Sequence, residues 1–114
     1  MEIRLIDTPI EKADLAAIAQ AQFGNLVKAV VDVERGIMAV SGELHADEEA
    51  FLLERGSRQE DLWGINLYPG KEGDEWIELD SMINVRPSQG NTSRHVENPT
   101  MQQRIREIVA GLVQ

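Results

Sequence analysis

The fold is decided by one hairpin sequence, Val27-Lys28-Ala29-Val30-Val31-Asp32-Val33-Glu34-Arg35-Gly36-Ile37-Met38-Ala39-Val40. Its first half, from Val27 to Val33, is rich in β-branched residues and predicts a strand. Glu34-Arg35-Gly36 is typical of a three-residue hairpin loop in which Gly36 takes a positive φ. Ile37 to Val40 then returns as the partner strand. The chain is therefore expected to fold around an antiparallel pair.

Two helices have clear boundary signals. Thr8-Pro9-Ile10-Glu11 predicts a helix start with a capping box, and Gly24 ends that helix. Asn98-Pro99 opens the last helix with a capping residue and a first-turn proline. A shorter helix is predicted from Asp47 to Glu54, although so short a helix depends on tertiary packing. The apolar stripes that support the two long helices are Leu15, Ile18, Ala19 and Phe23, and Met101, Ile105, Ile108, Val109 and Leu112.

Three further strands complete the pattern. Glu2 to Ile6 and Leu62 to Tyr68 are short, whereas Trp76 to Arg86 alternates over eleven residues, with a bulge or bend expected near Asp80-Ser81. Pro87 cannot donate to a β-ladder and should end this strand. The order βαββ(α)ββα predicts one α+β domain over residues 1–114, with about five mainly antiparallel strands and the helices packed on one face. The residues expected to share one face of the long strand are Ile77, Leu79, Ser81, Ile83 and Val85.

Composition excludes several function classes. The chain has no cysteine, which excludes disulfides, thiolate metal sites and a cysteine nucleophile. Its net charge of −9 argues against binding to nucleic acid or to anionic lipid. No apolar run approaches the roughly 20 residues that span a bilayer, and no signal peptide is evident, so we expect a cytoplasmic protein. Charge is unevenly placed, since residues 1–80 carry −11 and residues 81–106 carry +3.

That charge reversal surrounds a polar loop from Arg86 to His95 that contains no acid. Two arginines, neutral donors and a glycine favour binding of a small anionic, phosphate-bearing ligand, and the start of the last helix adds free N–H groups. The sequence matches neither the P-loop nor the dinucleotide glycine pattern, and we expect no cofactor. An ordinary connection that satisfies its own backbone is the alternative interpretation. The predicted ligand-binding residues are Arg86, Ser88, Gly90, Asn91, Ser93 and Arg94.

Other groups of residues are weaker candidates for a functional site. His45-Ala46-Asp47-Glu48-Glu49 lacks the spacing of a zincin motif, and its acids are explained by the helix dipole, so we expect no metal. His45 and His95 form an acid–base pair only if they meet in space. Glu78, Asp80, Asn84 and Arg86, with Asn66 and Tyr68 beside them, form either the floor of a site or a solvated sheet face. A homo-oligomeric interaction module is the main alternative to ligand binding, with apolar contacts from Trp63, Trp76 and Met82.

Three segments together resemble a known family. They are Gly42 to Glu49, Leu62-Trp63-Gly64-Ile65-Asn66-Leu67-Tyr68-Pro69, and Asp80-Ser81-Met82-Ile83-Asn84-Val85-Arg86-Pro87-Ser88-Gln89-Gly90-Asn91. The chain is similar, over nearly its whole length, to a small prokaryotic family catalogued as a domain of unknown function. The resemblance implies a single-domain protein without an assigned role, and it transfers no catalytic residue or cofactor. Whether the protein is an enzyme is left open.

Overall fold

Five antiparallel strands form one sheet, and the hairpin predicted from Val27 to Val40 supplies two of its three inner strands. The computed structural model describes residues 2–114. The strands are β1 (Arg4–Ile6), β2 (Val27–Asp32), β3 (Ile37–Val40), β4 (Leu62–Leu67) and β5 (Ile77–Glu78), and the helices are α1 (Lys12–Ala21), α2 (His45–Leu53) and α3 (Pro99–Leu112). The order in the sheet is β1-β3-β2-β4-β5. The predicted α+β class and strand number are confirmed.

The turn of the hairpin is fixed by one buried carboxylate. Asp32 accepts hydrogen bonds from the backbone N–H groups of Glu34 and Arg35 at 3.0 and 2.9 Å, and from the hydroxyl of Ser57 at 2.6 Å. Gly36 has the predicted positive φ of 67°. The Ser57 bond also anchors the chain that leaves α2 to the hairpin, so the turn contributes to tertiary packing.

Helices cover both faces of the sheet, which corrects the expectation that they share one. The face of β2 that carries Val27, Ala29 and Val31 packs against α1 and α3. Val30 lies on the opposite face, in a smaller core with Leu52 of α2. Burial on both faces explains why consecutive residues of β2, from Ala29 to Val31, are apolar, because a strand covered on both sides gains from apolar residues on either face.

The first helix begins later than predicted. Glu11 is its N-cap and shares a capping box with Asp14, so neither Thr8 nor Pro9 opens the helix. Ile10 instead forms a parallel bridge with Val113, and the N–H of Ile10 donates to the carbonyl of Leu112 at 2.8 Å. Long-range pairing between the two ends of the chain therefore overrides a local capping signal.

The eleven-residue strand predicted from Trp76 to Arg86 is wrong beyond Glu78. The chain bends near Asp80-Ser81, as expected, and then forms a 3-10 turn over Met82–Asn84. Ile77 lies in the large core, whereas Ile83 packs against the small one on the other face of the sheet. The alternating pattern therefore records burial in two separate cores. Within residues 2–114, no helix is both long and apolar enough to cross a membrane.

Candidate functional site

The two arginines of the loop are both paired with carboxylates of the protein. Arg86 is 8% exposed, and its Nη2 lies 3.2 Å from Oε2 of Glu49 on α2. Arg94 makes a two-pronged contact with Asp80, at 3.1 Å from Nε to Oδ1 and 2.8 Å from Nη2 to Oδ2. Each guanidinium therefore already has the kind of anionic partner that a ligand was expected to provide.

Two neutral donors of the loop, Thr92 and Ser93, are occupied as well. Glu97 folds back so that its Oε2 accepts from the N–H of Thr92 at 3.1 Å, and from the N–H and hydroxyl of Ser93 at 2.8 and 2.6 Å. These bonds lower the pKa of Glu97, and the bond from the Ser93 hydroxyl is the main cause. A carboxylate just beyond the acid-free stretch thus accepts from Ser93, one of the predicted ligand-binding residues, and from its neighbour Thr92.

Asn91 holds the loop together from the inside. It is 4% exposed, and its Nδ2 contacts the carbonyls of Asn84, Ser93 and His95 at 2.7–3.0 Å. Its backbone pairs with that of Arg86, and between them Gly90 takes a positive φ of 79° at the end of a 3-10 turn. Asn91 and Gly90 therefore shape the loop. Ser88 is exposed, with no side-chain hydrogen bond among the residues described.

Gly90 and Asn91 border a small cavity of about 220 Å³, and one further predicted ligand residue, Arg94, lines a larger cavity. This larger cavity has a volume of about 410 Å³ and lies between the N-terminus of α2, Asn66 near the end of β4 and the segment after β5. Such a volume is within the range of small-molecule sites. We call it the α2 cavity. Its lining residues are Leu26, Lys28, Leu44, His45, Ala46, Asn66, Tyr68, Glu78, Ser81, Met82, Ile83 and Arg94.

Three polar residues in register form the floor of the α2 cavity. Lys28 on β2 pairs with Asn66 on β4, and Asn66 pairs with Glu78 on β5. Neighbouring strands are separated by about 4.8 Å, so the Cα atoms of Lys28 and Glu78 are roughly 10 Å apart. Oε1 of Glu78 accepts hydrogen bonds from Asn66 at 2.8 Å and from the hydroxyl of Tyr68 at 3.2 Å. Glu78 is thereby held at one end of the floor, and Lys28 occupies the other.

Lys28 is the unneutralised cation of the α2 cavity. Among residues 2–114 no carboxylate lies within salt-bridge distance of its ammonium, although the chain has 20 acids. Glu48 lies near enough for its charge to act on Lys28, but burial raises the pKa of Glu48 to about 9 and keeps it neutral at neutral pH. The ammonium of Lys28 instead lies 5.4 Å from the ring centre of Phe23, a contact that leaves its charge without a carboxylate partner.

The N-terminus of α2 adds two donors to the same cavity. The backbone N–H groups of His45 and Ala46 have no partner among the described residues, and Leu44, the N-cap, provides no side-chain oxygen. Free N–H groups and the helix dipole make such an end favourable for negative charge.

His45 is held against the sheet by its ring. Its Nε2 lies 2.7 Å from the carbonyl oxygen of Ile65. Burial lowers the pKa of His45, and Lys28 lowers it further, while the Ile65 carbonyl, Asp80 and Asn66 oppose the change. The imidazole is consequently uncharged at neutral pH.

The other predicted arrangements do not assemble. His95 is exposed and contacts Gln102, and it does not line the α2 cavity with His45. Glu48 points inward to the N–H of Gly42, whereas Glu49 pairs with Arg86, so the acids around His45 diverge. Within residues 2–114 no three metal-ligating side chains cluster.

The apolar contacts expected for self-association are largely inside the protein. Trp63 is 6% exposed and Trp76 packs against the large core, which leaves Met82, at 66% exposure, free to contact a partner. Self-association remains a prediction.

Comparison with known protein families shows to which family the chain belongs. Residues 4–112 match the family described as protein of unknown function (DUF5674). The chain belongs to this family. Searches of curated proteins and of solved structures gave no significant match. The resemblance inferred from the three sequence segments is thus confirmed, and DUF5674 itself assigns no ligand or reaction.

The sequence analysis of this DUF5674 protein did not identify Lys28 as a residue of the α2 cavity. Its one signal was a cationic residue between two apolar residues of a predicted strand, Val27 and Ala29. The unpaired state of Lys28 depends on where distant acids fold, and no local pattern contains that information.

Proposed function

We propose that the protein binds a small organic anion in the α2 cavity. The observation that carries this proposal is that Lys28, which has no carboxylate partner, lines the same cavity as His45 and Ala46, whose backbone N–H groups are free. An ammonium and a helix N-terminus both favour negative charge, and each is more effective in a half-enclosed site than in open water.

The rest of the cavity favours an organic anion over a simple ion. Leu44 and Met82 are 56% and 66% exposed at its edge, and Leu26 and Ile83 also line it. These side chains offer apolar surface beside the charged end of the site. A ligand with an anionic head and an apolar body of a few carbon atoms matches both regions.

The loop from Arg86 to His95 then supports the anion site and is not itself the main ligand-binding element. Arg94 contributes to the edge of the α2 cavity while Asp80 holds it in place. The rest of the loop supports that position through Asn91, since its side chain contacts the carbonyls on either side of Arg94.

Titration with phenylacetate and with uncharged phenylacetamide, followed by amide chemical shifts, tests the proposal. We expect phenylacetate to shift the amide signals of residues 28, 44–46 and 66 and phenylacetamide to bind more weakly. Lys28→Gln should weaken phenylacetate binding roughly tenfold, because a hydrogen bond to a charged group is lost. Lys12→Gln is the matched control, since Lys12 lies over Trp76 outside the cavity.

Two results would contradict the proposal. One is the absence of shifts in the α2 cavity at millimolar phenylacetate. The other is equal binding by the Lys28→Gln and Lys12→Gln variants, which would place the anion elsewhere.

A further inference from the structure

The ring of His45 presents a hydrogen-bond acceptor. The carbonyl of Ile65 can only accept, so Nε2 at 2.7 Å must carry the proton of the neutral ring. Nδ1 then holds a lone pair. No atom of residues 2–114 donates a hydrogen bond to Nδ1, and the side chain lines the α2 cavity.

A neutral ring is consistent with the groups around it. Lys28 on β2 disfavours a second positive charge, and burial has the same effect. Asp80 favours the charged form, but its carboxylate is engaged by Arg94. Tyr68 and Glu78, the other ionisable groups that line the cavity, are bonded to each other. Asn66 also acts on the ring, but its Nδ2 donates to Glu78 and to the carbonyl of Asp80. None of these groups therefore donates to Nδ1.

His45 carries both the acceptor, Nδ1 of its ring, and one of the donors proposed to bind the anion, its backbone N–H. His45 is the first residue of α2, so its backbone N–H is one of the two free groups at the helix N-terminus. Standard bond lengths limit the distance from the backbone nitrogen to Nδ1 to about 5 Å. A ligand that uses both atoms must therefore carry an acceptor and a donor a few ångströms apart.

We propose that the ligand of the α2 cavity is an anion with an O–H donor next to its anionic group, and that Nδ1 of His45 recognises this donor. The inference rests on the proposed anion site. A 2-hydroxycarboxylate has this chemistry, and so does a hydrogen phosphate monoester whose own protonated oxygen is the donor. His45 then determines specificity, because a ligand without the donor leaves the desolvated Nδ1 without a partner.

Two matched ligand pairs test the inference and separate the two sources of the donor. Mandelate differs from phenylacetate by the 2-hydroxyl group, and phenyl phosphate near pH 6 differs from phenyl sulfate by its capacity to hold a proton. We expect mandelate or phenyl phosphate to bind roughly fivefold more tightly than the matched ligand without the donor. A difference of this size corresponds to the net free energy of one neutral hydrogen bond. The pair that shows the difference identifies the ligand chemistry.

Substitution assigns the difference to His45. In His45→Gln the side-chain amide can still donate to Ile65, but Nδ1 is lost, so the preference for the donor-bearing ligand should disappear. His95→Gln, at the exposed histidine outside the cavity, should keep it. Nitrogen chemical shifts of the His45 ring give a readout independent of any ligand, and we expect the tautomer with the proton on Nε2.

The outcomes separate the two proposals. If phenylacetate shifts the cavity amides but neither pair shows a preference, the anion site stands and the donor inference is overturned. If none of the four ligands binds, the anion site itself fails and the donor inference fails with it. A protonated Nδ1 in the free protein would overturn the donor inference whatever the binding data show.

Discussion

The side-chain amide of Asn84 pairs with the backbone of Gly64 as a neighbouring strand would. Its Oδ1 accepts from the N–H of Gly64 at 2.8 Å, and its Nδ2 donates to the Gly64 carbonyl at 2.9 Å. Asn84 is fully buried, and its Nδ2 also reaches the carbonyl of Arg94 at 3.0 Å. One side chain therefore ties the edge of β4 to the loop that carries Arg94, at the point where the predicted long strand ends.

Asn84→Ala should be strongly destabilising. The substitution leaves both polar groups of Gly64 without partners in a buried setting, and we expect a loss of about 3 kcal/mol in the free energy of unfolding. Urea denaturation measures the loss. Asn25→Ala, at an exposed asparagine, is the control and should change stability by less than about 0.5 kcal/mol. Similar values for the two variants would show that the amide pairing contributes little.

Gly64→Ala and Gly111→Ala should change stability in opposite directions. A Cβ on Gly64 would lie 2.5 Å from Cβ and Oγ of Ser81, so the segment after β5 must move, at a cost of about 1–3 kcal/mol. A Cβ on Gly111 of α3 meets nothing within 4 Å, and alanine in a helix gains roughly 0.5–1 kcal/mol over glycine. Thermal unfolding should show a lower midpoint for the first variant and a higher one for the second. A destabilised Gly111→Ala protein would contradict this account.

Glu48 should make the protein less stable as pH rises. Its carboxyl is fully buried and has a pKa of about 9 in the folded protein, against 4.5 ordinarily, because burial disfavours its charge. The folded state therefore holds a proton that the unfolded chain releases between these values. The stability associated with this group is complete below pH 4.5 and is lost as pH rises to about 9, by up to about 1.4 kcal/mol per pH unit.

Glu48→Gln removes this pH dependence, since the amide oxygen can still accept from the N–H of Gly42. Urea denaturation of both proteins at several pH values between 5 and 9 measures the difference. We expect the variant to gain stability over the wild type as pH rises, while the exposed Glu43→Gln control follows the wild type. A gap that stays constant with pH would refute the prediction.

Glu49→Gln should be costly, because Glu49 is the carboxylate partner of a buried guanidinium. Nε and Nη1 of Arg86 already lack partners, and its Cζ lies 5.1 Å from the ring centre of Trp63. Removal of the opposing charge should destabilise the fold by about 3 kcal/mol. Replacement of both partners, in Arg86→Met with Glu49→Leu, should recover most of that loss.

The exposed pair between Glu54 and Arg55 provides the comparison for that measurement. Its atoms are 3.9 Å apart and both side chains face solvent, so Glu54→Gln should change stability by less than about 1 kcal/mol. Equal losses for Glu49→Gln and Glu54→Gln in urea denaturation would mean that burial of Arg86 does not govern its pairing.

The sequence predicted the elements whose signals are local. The β2–β3 hairpin follows from β-branched residues around Gly36, and α3 follows from a cap at Asn98 and an apolar stripe. The sequence failed where distant residues compete. Ile10 leaves the predicted first helix because Val113 pairs with it, and the strand predicted to Arg86 stops early because the Asn84 side chain takes the place of a ladder.

For the candidate site, too, residue types were visible in the sequence, whereas contacts between distant residues were not. Residue types alone indicated an anion-binding loop, and they brought His45, Asn66, Tyr68 and Glu78 into consideration as separate possibilities. The tertiary structure decided which charges are free. In the folded protein Glu49, Asp80 and Glu97 pair with residues of the loop, whereas Lys28, which lines the α2 cavity, has no carboxylate partner.

The sequence by itself determined the α+β class, the central hairpin, the two long helices and the family. Only the tertiary structure decided which charged and polar groups lack partners, and the proposed anion site depends on these groups. Secondary structure depends on side-chain periodicity over a few residues, which can be seen along the chain. A binding site depends on which polar groups remain without partners after folding, and that is fixed by contacts between residues far apart in sequence.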